Sequence, residues 1–227
     1  MKKLYRYFTK GERVLWGASV LCILASFLLF DRGSYLTLAA SLVGVTSLIF
    51  CAKGNPIGQV LMIVFSILYG VISYSFLYYG EMITYLGMTL PMAVVALVSW
   101  LKNPYEGRRA EVRVGRIGAR EWILLTLLTA AVTAGFYFIL AAFGTANLLP
   151  STVSVTTSFA AAYLTARRSP YYALAYAAND VVLIVLWILA ALADITYLSV
   201  IVCFAAFLVN DIYGFVSWRR MERRQSA

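Results

Sequence analysis

The sequence has no histidine and only three cysteines, none of them in a CxxC spacing. The first absence rules out imidazole metal sites and histidine-based catalytic triads. Cys22, Cys51 and Cys203 lie within or at the edge of apolar runs and read as buried thiols, not as a disulfide framework. Charge is scarce too. Only 13% of residues are charged against 62% hydrophobic, and mean hydropathy is +0.82. A soluble domain of 227 residues cannot hide that much apolar surface. The net charge of +9 raises the question of nucleic acid. The bases, however, sit in short stretches beside apolar runs, with no aromatic-interleaved basic surface, so no nucleic-acid partner is expected.

What is present is apolar sequence in stretches of about 20 residues, the length that spans a ~30 Å hydrocarbon core. Eight such runs occur: 14–30, 35–51, 57–79, 82–101, 122–143, 151–166, 171–192 and 195–216. They predict an all-α integral membrane protein with about eight transmembrane helices, the lipid bilayer being its obligatory partner. The basic start resembles a signal peptide, but no small-x-small cleavage site follows the first run near Asp31, so a retained helix is expected. With eight spans, Arg32 alone among the 19 Lys and Arg falls on one side and all the others on the opposite side. This bias predicts a multi-pass protein of the cell membrane with both termini cytoplasmic.

The chain carries a duplication. Lys53-Gly54-Asn55-Pro56 matches Arg167-Arg168-Ser169-Pro170, each with proline at a helix start, where its missing N–H does no harm. Each copy closes on Ser-Trp before a base, Ser99-Trp100 and Ser217-Trp218. Adding the preceding helix to each copy gives two three-helix units in the same orientation, joined by one linker span. The expected divisions are an N-terminal tail and extra helix (1–34), a first repeat (35–101), a basic loop with the linker helix (102–145), a second repeat (146–218) and a basic tail (219–227).

Within these apolar runs lie Asn179-Asp180 and Asn210-Asp211. An Asp at the centre of a lipid-facing helix costs roughly 2.5–3.5 kcal/mol on insertion scales. Asp180 lies about 13 Å from the inner face at 1.5 Å per residue, and Asn210 about 12 Å. The two pairs are therefore expected at similar depth, facing a cavity or each other. Asp180 and Trp187 share a helix face, as do Asn210, Tyr213, Gly214 and Ser217. Weaker stripes are Gln59, Ser66 and Ser73 on the third helix and Glu81, Tyr85, Met88 and Thr89 on the fourth, where Pro91 predicts a kink. Ser66, Ser73 and Thr89 read first as packing contacts, and Asn179 and Asn210 as either packing or site. Trp100 and Trp218 adjoin bases and are expected in an interfacial aromatic belt. Glu81 is expected to be a solvated acid at a helix start. No cofactor or metal is called for. With acids the only reactive groups left, the pattern fits a transporter of a small solute better than an enzyme, and an assembly subunit would leave the buried acids unexplained.

These residues resemble the PnuC family of vitamin transporters. Ala52-Lys53-Gly54-Asn55-Pro56, Ser66-Ile67-Leu68-Tyr69-Gly70 and Leu77-Tyr78-Tyr79-Gly80-Glu81 are similar to its first half. Tyr176-Ala177-Ala178-Asn179-Asp180, Leu186-Trp187 and Asn210-Asp211-Ile212-Tyr213-Gly214-Phe215-Val216-Ser217-Trp218 are similar to its second. The resemblance covers roughly residues 36–220. It implies facilitated diffusion of nicotinamide riboside with trapping by cytoplasmic phosphorylation, thiamine or riboflavin being carried by other members. It further implies a fold like that of the SWEET sugar transporters, and a homotrimer. Asn179, Asp180, Trp187, Asn210, Asp211 and Tyr213 become the leading ligand contacts, with Gln59, Ser66, Tyr69, Thr89 and Trp100 weaker candidates. Two departures stand out. A Trp-x-x-Trp pair common in the family reads Leu97-Val98-Ser99-Trp100, and an asparagine common before the Ser-Ile-Leu-Tyr-Gly string is Phe65.

Overall fold

The computed structural model describes residues 7–75, 79–145 and 147–227. Helix α1 (Lys10–Phe30) opens with a capping box: the Glu12 amide donates to the Thr9 hydroxyl, and the Glu12 carboxylate accepts from the Thr9 amide at 2.7 Å. Helix α2 (Tyr35–Ala52) ends in a turn closed by Asn55 N–H donating to the Phe50 carbonyl, with Gly54 at φ 64°. That left-handed cap suits glycine because it has no Cβ to clash. Helices α3 (Ile57–Ser75) and α4 (Tyr79–Lys102) follow. Within α4 a π turn covers Tyr85–Thr89, immediately before Pro91. Proline lacks the N–H that would continue the ladder, and the wider turn absorbs the defect where a kink is expected.

Helix α5 (Ala119–Ala142) leads to α6 (Leu148–Ala166), α7 (Tyr172–Ala191) and a last helix α8. A single 3-10 turn, Ile195–Tyr197, opens α8, and Leu198–Ser226 completes it. Asp194 caps that turn, accepting from the amide and hydroxyl of Thr196, and these bonds hold its carboxyl below the usual range. Seven of the described helices are long and apolar enough to cross a membrane. The other, α6, has spanning length but is rich in serine and threonine. The eight expected runs thus correspond to α1–α8, except that part of the third falls on residues 76–78, outside the described ones.

Two expectations change on the inner side. The basic loop after α4 contains a hairpin, β1 (Pro104–Tyr105) against antiparallel β2 (Arg108–Val112). The basic tail is not a separate segment, since α8 runs on to Ser226. Its arginines are anchored by ion pairs, Arg219 with Glu222 and Arg224 with Glu111 of the hairpin.

The packing order places the interior. Helix α2 lies between α3 and α8, and α7 between α6 and α8. Helix α4 touches α3 and α6, α1 lies over α2 and α8, and α5 packs mainly on α6. Backbone bonds tie the end of the hairpin and the loop after it to the turns before α3 and α7: Val112 N–H donates to Gly54 and Gly115 N–H to Arg168, each at 2.9 Å. Arg168 takes the left-handed conformation (φ 59°) at the position matching Gly54. Gly115 is there for space, because an added Cβ would lie 2.2 Å from the Arg167 carbonyl oxygen. Gly115→Ala should therefore lower stability by about 1–3 kcal/mol. Thermal melting in detergent checks this, with Gly118→Ala, where nothing crowds the added carbon, as the mild control.

Candidate functional site

The two Asn-Asp pairs split by direction. Adjacent residues on a helix point about 100° apart, so each pair sends one side chain inward and the other sideways. Asp180 and Asp211 are each 4% exposed, and their carboxyls interact with one another across the α7–α8 contact. Asp180 Oδ2 has no hydrogen-bond partner. The asparagines turn to neighbouring helices. Asn179 Oδ1 accepts from Ser154, Thr157 and Ser158 of α6. Asn210 Nδ2 donates to Ser19 of α1 at 2.9 Å. Tyr213 also turns to α1, donating to Glu12 at 3.1 Å, while Lys53 pairs with the same carboxylate.

Beside the acids lies a cluster of rings. Trp187 is fully buried and donates from Nε1 to the Tyr69 hydroxyl at 2.9 Å. Tyr69 packs on Tyr85 with ring centres 4.3 Å apart, and Phe65 stacks on Tyr69 at 5.6 Å. Phe204 and Phe207 of α8 close the cluster, edge-on to Tyr69 and Phe65. Tyr85 lies within electrostatic reach of Asp180, so the rings and the acids form one continuous interior. Sequence reasoning left Phe204 and Phe207 out, because a phenylalanine in an apolar run carries no signal of the face it takes.

The weaker candidates are scattered. Gln59 donates to the Cys51 sulfur at 3.3 Å, near the inner end. Ser66 bonds back to the Met62 carbonyl in its own helix, and Thr89 is buried beside the π turn. Trp100 is not in an interfacial belt, and neither is Trp218. Both are fully buried, their rings 5.3 Å apart. Trp100 Nε1 donates to the Thr165 carbonyl at the end of α6, and Trp218 Nε1 to the Cys51 carbonyl at the end of α2. Their N–H groups found backbone carbonyls instead of headgroups. Cys51 and Cys203 are buried thiols, but Cys22 is exposed on the outside of α1. Glu81 is not solvated: it is 2% exposed, and its Oε2 has no partner.

A bundle of apolar helices that encloses acids without cations, beside a wall of aromatic rings, is the interior of a membrane transport protein. The chain belongs to the nicotinamide mononucleotide transporter family, whose model matches residues 34–220. It is a family of transporters, not of enzymes. Among curated proteins, the chain is 26% identical over 229 residues to the nicotinamide riboside transporter PnuC of Neisseria mucosa, covering 99% of this chain and 87% of that one. It is 22% identical over 192 residues to the protein of the same name from Haemophilus influenzae, covering 84% and 82%. Among solved structures, a vitamin B3 transporter PnuC superposes with a TM-score of 0.84 at 24% identity, over 96% of this chain and 94% of that one. That likeness establishes the fold.

The Trp187–Tyr69 bond links α7 to α3 across the ring cluster. A double-mutant cycle with Tyr69→Phe and Trp187→Phe should give a coupling of about 0.6 kcal/mol, typical of hydrogen bonds between membrane helices. Equilibrium unfolding in bicelles measures it. Strict additivity would mean that the bond contributes nothing in the bilayer.

Proposed function

We propose that this chain carries nicotinamide riboside across the cell membrane by facilitated diffusion. The observation that carries the reading is the juxtaposition of buried Asp180 and Asp211 with the Tyr69–Tyr85–Trp187 rings. A riboside offers vicinal hydroxyls that donate to carboxylates, and a flat cationic ring attracted both to acids and to π faces. The relatives from Neisseria mucosa and Haemophilus influenzae bear that substrate in their names. On this reading the ring meets Trp187 or Tyr69, and the sugar meets Asp180 and Asp211. Asn179, Asn210 and Tyr213 act from their bonds to α6 and α1, setting the position of the helices that bear the acids. Phosphorylation in the cytoplasm then traps the cargo.

The same proposal takes α2–α4 and α6–α8 as two like-oriented units with α5 as linker, in the manner of the SWEET transporters. Supporting it is a reciprocal pair of contacts. Trp100, ending the first unit, bonds the end of α6, while Trp218, ending the second, bonds the end of α2. The acceptors Cys51 and Thr165 each stand five residues before the proline of their own repeat. Rocking of the units about this inner seam would open the interior alternately to the two sides. The one-sided distribution of basic residues supports a cytoplasmic position for both termini. The open face of α5, lined by Trp122, Thr126, Thr129, Thr133 and Tyr137, is consistent with a homotrimer.

A second reading, transport of a different vitamin such as thiamine, is favoured by one observation. Phe65 fills with an apolar ring the site where the family commonly has asparagine. Binding of the purified protein to nicotinamide riboside, thiamine and riboflavin decides between them. In proteoliposomes, Asp180→Asn should cut nicotinamide riboside uptake by about ten- to a hundredfold, the loss of a charged hydrogen bond worth roughly 1.5–3 kcal/mol. Uptake equal to that of the parent removes Asp180 from the site.

A further inference from the structure

Glu81 has no structural partner to explain its burial. It is 2% exposed, its Oε2 meets no donor, and among the described residues no Lys or Arg is paired with it. A carboxyl in such a place is costly to keep, and buried polar groups elsewhere in proteins are nearly always satisfied. Its surroundings are aromatic. Tyr85 stands one turn further along α4, and Tyr69 lies across from it on α3, both within its electrostatic reach. Tyr85 is also within electrostatic reach of Asp180, which interacts with Asp211. Three buried acids and the packed Tyr69–Tyr85 rings thus share one interior. Apart from Arg32, the bases lie at the other end of α4, in the loop that follows it, around the turns at Lys53 and Arg167 and at the two ends of the chain.

We propose that Glu81 is the first cation-binding station of the transport path, at the end of the bundle remote from the basic face, and that it selects for a positively charged aromatic ring. This rests on the reading of the chain as a nicotinamide riboside transporter. The N-substituted pyridinium of the cargo stacks against Tyr69 or Tyr85 and pairs electrostatically with the Glu81 carboxylate, compensating the charge that the fold leaves buried. From there the ring passes towards Asp180 and Asp211, and the sugar hydroxyls follow. In a low-dielectric interior a cation within about 4–5 Å of a carboxylate gains far more than in water, so the acid discriminates by charge where the rings discriminate only by shape.

The test compares nicotinamide riboside with its reduced form, dihydronicotinamide riboside, which keeps the sugar and carboxamide but has a neutral ring. Binding and proteoliposome uptake of both are measured for the parent, Glu81→Gln and Glu81→Asp. The parent should favour the cationic form. Glu81→Gln should weaken the cation by at least ~10-fold while changing the neutral form by less than about threefold, so the preference collapses. Glu81→Asp, keeping the charge, should retain most of it. Because Oε2 has no partner to lose, Glu81→Gln should melt no lower than the parent without ligand. Equal losses for both forms, or an unchanged ratio, overturn the role of Glu81 while leaving the transport reading intact. A parent that binds neither form overturns both. Should Glu81→Gln fail to fold, Glu81→Asp decides instead: loss of the cation preference with the charge retained overturns the proposal.

Discussion

Three carboxyl groups held inside an apolar bundle without a basic partner constrain everything else in this molecule. Burial of Glu81, Asp180 and Asp211 opposes stability, and among the described residues no ion pair compensates for it. The helices must therefore gain cohesion elsewhere. They gain it from contacts that contain no ionised group: the aromatic cluster from Phe65 to Phe207, the close approach of small residues and the serine–threonine lattice on α6. Among the described residues the ion pairs gather at the basic end, Arg167–Glu121 and Arg224–Glu111 partly exposed and Lys53–Glu12 largely buried. This separation is what a path for a small cation requires. A lysine or arginine in the interior would neutralise the acids and repel the cargo.

Much of the fold was legible because a bilayer imposes a length on each element, and the charge bias fixes how many elements there are. The starts of α2 and α7 fell within a residue of expectation, and the irregularity expected at Pro91 takes the form of a π turn at Tyr85–Thr89 just before it. The tail of α8 was not legible. Residues 219–226 have no apolar stripe, and their helix depends on ion pairs with Glu222 and with Glu111 of a distant hairpin. The hairpin itself is only seven residues of strand in an arginine-rich segment, too short for an alternating pattern to stand out.

The candidate site was legible in part for a related reason. Composition signals that a polar residue inside a membrane is costly, but not which way it points. Asn179 and Asp180 are neighbours in sequence with opposite fates, one bonded to α6 and the other turned to Asp211. Only the positions of α6 and α1 separate them. Glu81 was misread because a residue at a helix start is normally wet. Here the end of α5, with Leu140 and Thr145 crowding Gly80, covers that start. Trp100 and Trp218 were misread because an adjacent base suggests an interface, whereas a carbonyl at the end of the opposite repeat's first helix takes the indole N–H.

The extra helix α1 adds a constraint that the repeats alone would lack. Its Glu12 holds Lys53 in the turn after α2 and Tyr213 on α8, and its Ser19 holds Asn210 one turn further along. These bonds join the first unit to the second on one side of the inner seam. On the other side, the end of the hairpin and the loop after it bond the turns at Gly54 and Arg168. If the two units rock as proposed, these ties favour a pivot at the end that carries them and a spread at the end that holds Glu81. Loosely packed helices between lipid tails have little hydrophobic force to hold them in register, so discrete bonds of this kind set the geometry of motion. On the proposed reading the path opens first at Glu81, because among the described residues no partner of its Oε2 has to be given up there.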